Sequence, residues 1–279
     1  MYEVHYGLRE KPFSISPDPD LIFWGQAHRL AFSMLEFGVM NNAEFTVITG
    51  CVGSGKTTLV RHLLRKIDRT VTHVGLISNT PREREELLQS IMVAMNLPVE
   101  GPPPVLIKKF QDFLAAQYGK GSRTILIVDE AHNLGEEALE ELRMLSNINV
   151  DKYQLLQLIL VGQSQLKDTL RRPQLLQFAQ RVSSGFDLKP LAQTEVAQYI
   201  TFRLNAVGSR VELFSNEACN IIAQASSGIP RVINILCDTA LVYGFSAGAD
   251  RITGELARAV IEDKNNFGFL HTNNSSAAF

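Results

Sequence analysis

The stretch at residues 45–58, FTVITGCVGSGKTT, limits what this 279-residue chain can fold into more than any other. A short apolar, β-type run at residues 45–49 meets a glycine-rich turn, and the turn opens onto Leu59, Val60, Leu63, Leu64 and Ile67. Those five residues recur at helical spacing, giving the order strand, loop, helix that a phosphate-binding loop requires. Glycines at 50, 53 and 55 let the backbone curl with its N–H groups turned inward around phosphate oxygens. A helix beginning near Lys56 adds its positive end, Lys56 adds a mobile ammonium, and the Thr57 hydroxyl suits Mg²⁺. Gly50, Cys51, Val52, Gly53, Ser54, Gly55, Lys56, Thr57 and Thr58 are therefore the candidate phosphate-binding residues. The pattern implies a bound nucleoside triphosphate.

The chain is long enough for one large domain or two modest ones, and its 45% hydrophobic content supplies ample core. A formal charge of −2 argues against a strongly basic nucleic-acid coat, though a local basic patch is compatible with it. The three cysteines, Cys51, Cys219 and Cys237, have no metal-ligand spacing and an odd count, which suits a reducing compartment. Cys219 and Cys237 are expected to be buried in helices, and Cys51 to be a tolerated small side chain in the loop. The opening MYEVHYGLREK lacks the basic start and apolar centre of a signal peptide. No uninterrupted apolar run approaches the ~20 residues needed to cross a bilayer, and the longest candidate, residues 233–249, is broken by Asn234, Asp238 and two glycines. The expectation is a cytoplasmic chain without a membrane span.

Along the chain, residues 1–20 carry Tyr2, Tyr6, Phe13 and prolines at 12, 17 and 19, which predicts an extended segment packed on the core. Residues 26–40 read as a helix burying Leu30, Met34, Leu35 and Phe37. A β-rich run at 71–77 is followed by Thr80-Pro81-Arg82-Glu83, a capping box with proline at the first helical position, and by a helix carrying Leu87, Leu88, Ile91, Met92 and Met95. Residues 101–104 break the chain before a helix with Phe110, Phe113 and Leu114. Residues 124–128 form a wholly apolar strand expected mid-sheet; 135–145 read as helix, 155–161 as another apolar strand and 185–188 as a last short one. Five strands alternating with helices predict an α/β fold, a parallel sheet flanked by helices. Four helices follow, at 195–206, 215–226, 230–245 and 253–263. The expected division is an α/β nucleotide-binding domain at 1–190 (its extended segment 1–25), a helical domain at 191–264 and a frayed tail at 265–279.

Asp129 and Glu130 close the strand at 124–128. Open α/β sheets gather ligands at the carboxyl ends of their strands, so both acids should face the phosphate loop. Asp129 is suited to hold Mg²⁺ and Glu130 to polarise the attacking water. Gln163, with Ser164 as the alternative, lies just past the strand at 155–161, where a polar side chain reads a γ-phosphate. Positive charge beyond Lys56 is needed there as well, and the candidates are Arg171, Arg172, Arg181 and Arg231. Arg231 stands at a helix start in Gly-Ile-Pro-Arg; Arg181 lies at the rim of the sheet, poorly placed for its own loop and well placed for a neighbour's. The histidines His28, His62, His73, His132 and His271 show no ligand spacing, and His132, in DEAH, reads as a loop-positioning residue.

GCVGSGKTT resembles a Walker A motif and ILIVDE a Walker B motif; with Arg231 in GIPR and the helical tail domain, the chain resembles the AAA+ ATPases. More narrowly, HYGLREKPFSISPDPDLIFWG, ELRMLSNINVDKYQLLQLILVGQSQL and FAQRVSSGFDLKPL are similar to the ExeA, or general secretion pathway protein A, type. That group includes ATPases from secretion, pilus and exopolysaccharide-export gene sets. The resemblance spans roughly residues 2–263, and it implies P-loop sheet order 5-1-4-3-2, ATP with Mg²⁺, and homo-oligomers whose active sites lie between subunits. It further implies Gln163 as sensor 1, Arg231 as sensor 2, Arg181 as an arginine finger given in trans, and Trp24 and Gly25 with Tyr6 and Phe13 on the adenine side. The first functional expectation is an ATPase acting on partner proteins of an envelope secretion or polymer-export machine, recruited to the inner-membrane face by a partner. The alternative is a DNA-associated regulator assembling on duplex DNA, for which the sequence offers only scattered Lys and Arg.

Overall fold

The computed structural model of the chain describes residues 1–268 apart from 17, 19, 79, 82–83 and 151–152. The chain divides into two compact units. One comprises Arg29–Val52 and Lys56–Leu188; the other comprises Met1–His28, Gly53–Gly55 and the chain from Lys189 onward.

The first unit is built on a five-stranded parallel sheet: β1 (Phe45–Gly50), β2 (Thr72–Ile77), β3 (Arg123–Val128), β4 (Leu156–Gly162) and β5 (Val182–Leu188). Their spatial order is β2-β3-β4-β1-β5, the expected 5-1-4-3-2 read from the other end. The three interior strands are the ones that read as apolar runs, and every residue of β1 and β4 is buried, as burial on both faces demands. Register places Thr49 beside Gly162 on one side and beside Asp187 on the other, so the carboxyl ends of β1, β4 and β5 are level. The core joins Leu126, Val128, Leu158 and Leu160 to Leu87, Ile91, Met92, Phe110, Leu114 and Leu142 on the covering helices. Those helices include Arg84–Ala94, Pro103–Gly119 and Glu136–Ser146. Arg82 and Glu83 of the expected capping box lie outside the described residues.

Two local expectations are corrected here. The helix Gln26–Met40 has the predicted bounds, but it buries Ala31, Phe32 and Leu35, while Leu30 and Phe37 are 52% and 55% exposed. Its contact face is set by Gly38, where an added Cβ would stand 2.2 Å from Thr46 Oγ1, so the helix lies with its small residue against β1. β5 begins three residues earlier than predicted. Ser184 is buried in it, with its hydroxyl donating to Met34 O at 2.9 Å, a tertiary contact that overrides weak strand propensity.

The second unit packs the helices Gln193–Ala206, Asn216–Ser226, Pro230–Ser246 and Gly254–Asn266, with the short helix Tyr2–His5, around Val196, Ile200, Ile222, Ile233, Leu236 and Val260. Ser215 and Thr253 accept from Ala218 N and Leu256 N as N-caps, and Pro230 takes the first helical turn. Cys219 and Cys237 are buried here as expected; burial pushes the first thiol up to about 11 and raises the second as well, which makes both inert. No described helix is long and apolar enough to cross a membrane.

The opening segment belongs to this helical unit and not to the sheet domain to which the sequence assigned it. Tyr2, Tyr6, Leu8 and Phe13 complete the helical core. The buried Arg203 guanidinium fastens the segment, donating to Pro12 O at 2.7 Å and Ser14 O at 3.4 Å, while Asn234 donates to Ser14 O at 3.1 Å. Hydrogen bonds from a charged donor contribute about 1.5–3 kcal/mol. Replacing Arg203 by Met is expected to lower unfolding free energy by about that amount, measured by urea titration, and to accelerate limited proteolysis within the first twenty or so residues.

Candidate functional site

All five strands of a parallel sheet end on one edge, so the residues that follow β1, β3 and β4 are gathered together by topology. After β1 the loop turns into the helix Lys56–Lys66. Lys56 is 8% exposed, and its Nζ donates to Gly50 O and Cys51 O, each at 2.9 Å, with the third ammonium proton left for a ligand. Burial lowers its pKa, opposed by the charges of Cys51, Glu130, Asp129 and Asp187. Gly53 has φ +79° and a Cβ there would stand 2.5 Å from Arg231 Cβ, so no side chain fits. Arg231 N–H donates to Gly53 O at 3.2 Å, while the Arg231 side chain is exposed. Cys51 is half-buried and in no disulfide; Val52 is exposed, Ser54 fully buried and Thr58 half-buried.

β3 delivers Asp129, 7% exposed, whose Oδ2 accepts from Thr57 Oγ1 at 2.9 Å and whose Oδ1 accepts from Glu130 N–H at 2.9 Å. Thr80 Oγ1 donates to the Asp129 carbonyl, fixing the strand tip from the β2 side. Glu130 takes a left-handed conformation, φ 54°, uncommon outside glycine, and this turns its carboxylate out of the strand direction to 46% exposure. β4 delivers Gln163, which starts the helix Ser164–Leu170 and donates its backbone N–H to His132 Nδ1 at 3.3 Å. Asp187 at the end of β5 accepts from Thr49 Oγ1 at 3.0 Å.

The predicted loop, Asp129, Glu130 and Gln163 thus share one edge of the sheet. Other predicted residues do not join them. Arg181 precedes β5, at the amino edge, where its guanidinium donates to Glu44 Oε1 at 2.6 Å and to Asn147 Oδ1. Glu44 also accepts from Ser146 Oγ at 2.7 Å and Gln154 Nε2 at 2.9 Å, so Arg181 is part of a structural network in its own chain. Arg171 is 69% exposed at the side chain, 3.9 Å from Asp168, and Arg172 pairs with Glu136 at 2.6 Å.

Of the residues expected on the adenine side, Tyr6 and Phe13 are core residues of the helical unit. Tyr6 OH donates to Ala249 O at 3.0 Å, and Phe13, 2% exposed, packs edge-on to Phe214. Trp24 and Gly25 lead into the helix Gln26–Met40, whose first N–H donates to Glu195 Oε1 at 2.8 Å.

Sequence reasoning missed three supports. His28 Nε2 lies 2.9 Å from Ser54 O, which accepts, so Nε2 carries the proton. Asp187 and Thr80 reach the site through strand register and a tertiary hydrogen bond. None of these has a local sequence signal.

A family profile described as an AAA domain matches residues 39–170. General secretion pathway protein A of Aeromonas hydrophila is 37% identical over 265 residues, covering 94% of this chain and 48% of that protein. The chain belongs to the AAA-type ATPase family of general secretion pathway protein A. It spans about half the length of that relative. The fold is shared with Cdc6p of Pyrobaculum aerophilum (TM-score 0.69, 17% identity, 90% of this chain and 70% of that one). It is shared also with the ORC2 protein of Aeropyrum pernix in ADPNP–ADP complexes (TM-score 0.63, 18% identity, 85% and 67%).

Burial lowers the His28 pKa, so the unfolded chain takes up its proton first as pH falls. Stability should therefore decline below about pH 6.5, the ordinary imidazole range, and continue to fall until the folded-state value is reached. Urea unfolding between about pH 5 and about pH 7.5 should show this slope in the native chain and a shallower one in His28→Gln. The part that survives comes from His73, whose pKa burial and Arg69 also lower.

Proposed function

We propose that the chain binds and hydrolyses ATP with Mg²⁺, and that homo-oligomers use this turnover to act on protein partners of an envelope secretion or polymer-export machine. The observation that carries the reading is the 2.9 Å hydrogen bond between Thr57 of the loop helix and Asp129 of β3. It sets a hydroxyl and a carboxylate oxygen side by side, a hard donor pair of the kind that holds Mg²⁺ through one or two protein ligands with water and phosphate. Among the described residues no group of three or more His, Cys, Asp or Glu forms an alternative metal cage. Bound Mg²⁺ would neutralise phosphate charge.

The loop amides and Lys56 would then hold the β- and γ-phosphates, and Glu130, exposed and adjacent, would orient the attacking water. Gln163 would read the γ-phosphate from the end of β4. Arg231, whose backbone already meets Gly53, would add positive charge from the helical unit's own residues. Trp24 and Gly25 stand as the base-side residues. Arg181 would act on a neighbouring chain's site, for which its guanidinium must leave Glu44.

Lys56→Ala is expected to abolish ATP binding in a fluorescent-nucleotide titration. Glu130→Gln is expected to bind ATP and turn it over at least ~10²-fold more slowly, the scale of losing a positioned base. Unchanged turnover in the second variant would remove the hydrolytic reading. Adding duplex DNA to the same assay gives no stimulation on this reading.

Arg181→Ala is expected to be inactive alone and to regain partial activity when mixed with Lys56→Ala, since each mixed pair contains one intact shared site. If the two variants co-assemble and mixing restores nothing, the arginine given in trans is Arg171 or Arg172.

A further inference from the structure

The sheet has two outer strands, and they guard their free edges unequally. β5 carries Asp187 and a register shift against β1 between Phe45 and Thr46. Charge and bulges are devices by which an edge strand avoids pairing with another chain. β2 has neither. Its residues, THVGLI, include no proline, lysine, arginine or carboxylate, and its register with β3 runs unbroken from Thr72–Arg123 to Ile77–Val128.

Successive residues of a strand turn their N–H and C=O to opposite sides. Arg123 N–H donates to Val71 O and Asp129 N–H to Ile77 O, so the odd-numbered residues of this run address β3. Thr72, Val74 and Leu76 therefore address the open side, where β2 has no further strand. Among the described residues, no hydrogen bond closes the backbone of Val74 or Leu76 on that side. Thr72 is buried, Val74 half-buried, Leu76 39% exposed and Ser78 exposed, so the accessible stretch is Val74 to Ser78. One face of it is shut: a Cβ on Gly75 would stand 2.9 Å from Met95 Cε. Leu76 shows on the other face.

A row of N–H and C=O groups at strand spacing is matched by another extended backbone. Charge narrows the choice of strand. Arg69 is exposed in the turn that leads into β2, and its charge reaches His73. Asp68, beside it, is turned back onto the Thr70 N–H and hydroxyl at 2.9 Å and 2.6 Å. A second copy's β2 brings no carboxylate, either in its six residues or in the three that follow. We propose that the free edge of β2 takes an extended segment of a partner protein as a further strand, gripped through its main chain, with an apolar side chain against Leu76 and a carboxylate toward Arg69. This rests on the reading that the chain acts on protein partners, and it assigns the grip to backbone groups, which ask little of the partner's sequence.

The probe is a fluorescein-labelled peptide of about eight residues alternating valine and threonine, with aspartate at its first or its last position, titrated with the full chain in the absence of nucleotide. Saturable anisotropy is expected below about 1 mM, with one of the two peptides binding several-fold tighter and Arg69→Gln erasing that difference. N-methylation of one alternate set of peptide N–H groups is expected to weaken binding at least ~10-fold, and of the other set less than about twofold, because only one edge of the peptide meets β2. Val74→Pro deletes an outward N–H and leaves the groups of His73 and Gly75 on β3, so it should weaken binding by a similar factor. No binding up to about 1 mM, equal losses from both methylated sets, or unchanged binding in a folded Val74→Pro chain overturns the proposal. A doubled sedimentation mass that Val74→Pro abolishes, with no peptide bound, overturns it in favour of a second copy on this edge. Because the titration contains no nucleotide, a native chain that fails to hydrolyse ATP would sink the hydrolytic reading and leave the peptide result standing.

Discussion

The hydrogen bond from Thr57 Oγ1 to Asp129 Oδ2 spans a gap that no backbone ladder closes, because β4 lies between β1 and β3. The loop helix and the acid pair come from strands that do not touch. Their meeting depends on β4 being inserted with Leu158 opposite Phe45 on one side and Leu126 on the other. A one-residue slip in either ladder would turn the strand-end residues to the opposite face of the sheet. The apolar packing of β4, buried at all seven positions, is thus what sets the distance between the phosphate loop and the carboxylate. Thr80, from the β2 side, fixes the same tip by its hydroxyl on the Asp129 carbonyl.

The site gathers more negative than positive charge on its own. Asp129, Glu130 and Asp187 all act on Lys56, the one lysine of the loop, and burial works against its charge at the same time. Two like charges about 4 Å apart at an effective dielectric of about 20 repel by about 4 kcal/mol, so a triphosphate brought against these acids needs cations between them. One would be supplied by a divalent ion held on the Thr57–Asp129 donor pair. Others would come from arginine: Arg172 and Arg181 are engaged with Glu136 and Glu44, whereas the Arg231 backbone N–H donates to Gly53 O.

Much of this was legible in the sequence, for a physical reason. Interior parallel strands must be apolar on both faces, and glycines in a phosphate loop must be where the backbone curls, so strand order, loop and acid pair leave local marks. What was not legible depends on contacts distant along the chain. The helix Gln26–Met40 has two apolar stripes, and only the fit of Gly38 against Thr46 decides which is buried. The aromatics of the opening segment read as core in either unit; Arg203 and Asn234, some 190 and 220 residues away, decide which. Tyr6 and Phe13 were placed beside a base by resemblance and are packed elsewhere for the same reason.

His132 shows the limit of motif reading from the other direction. DEAH is visible in the sequence, yet nothing in its spacing says that the ring will meet the amide of Gln163, thirty-one residues on. That contact exists because β3 and β4 are neighbours in the sheet, so a residue just past one tip is within reach of a residue just past the other. A parallel sheet places its functional groups at the ends of adjacent strands, and side chains there can touch across the ladder without any sequence proximity.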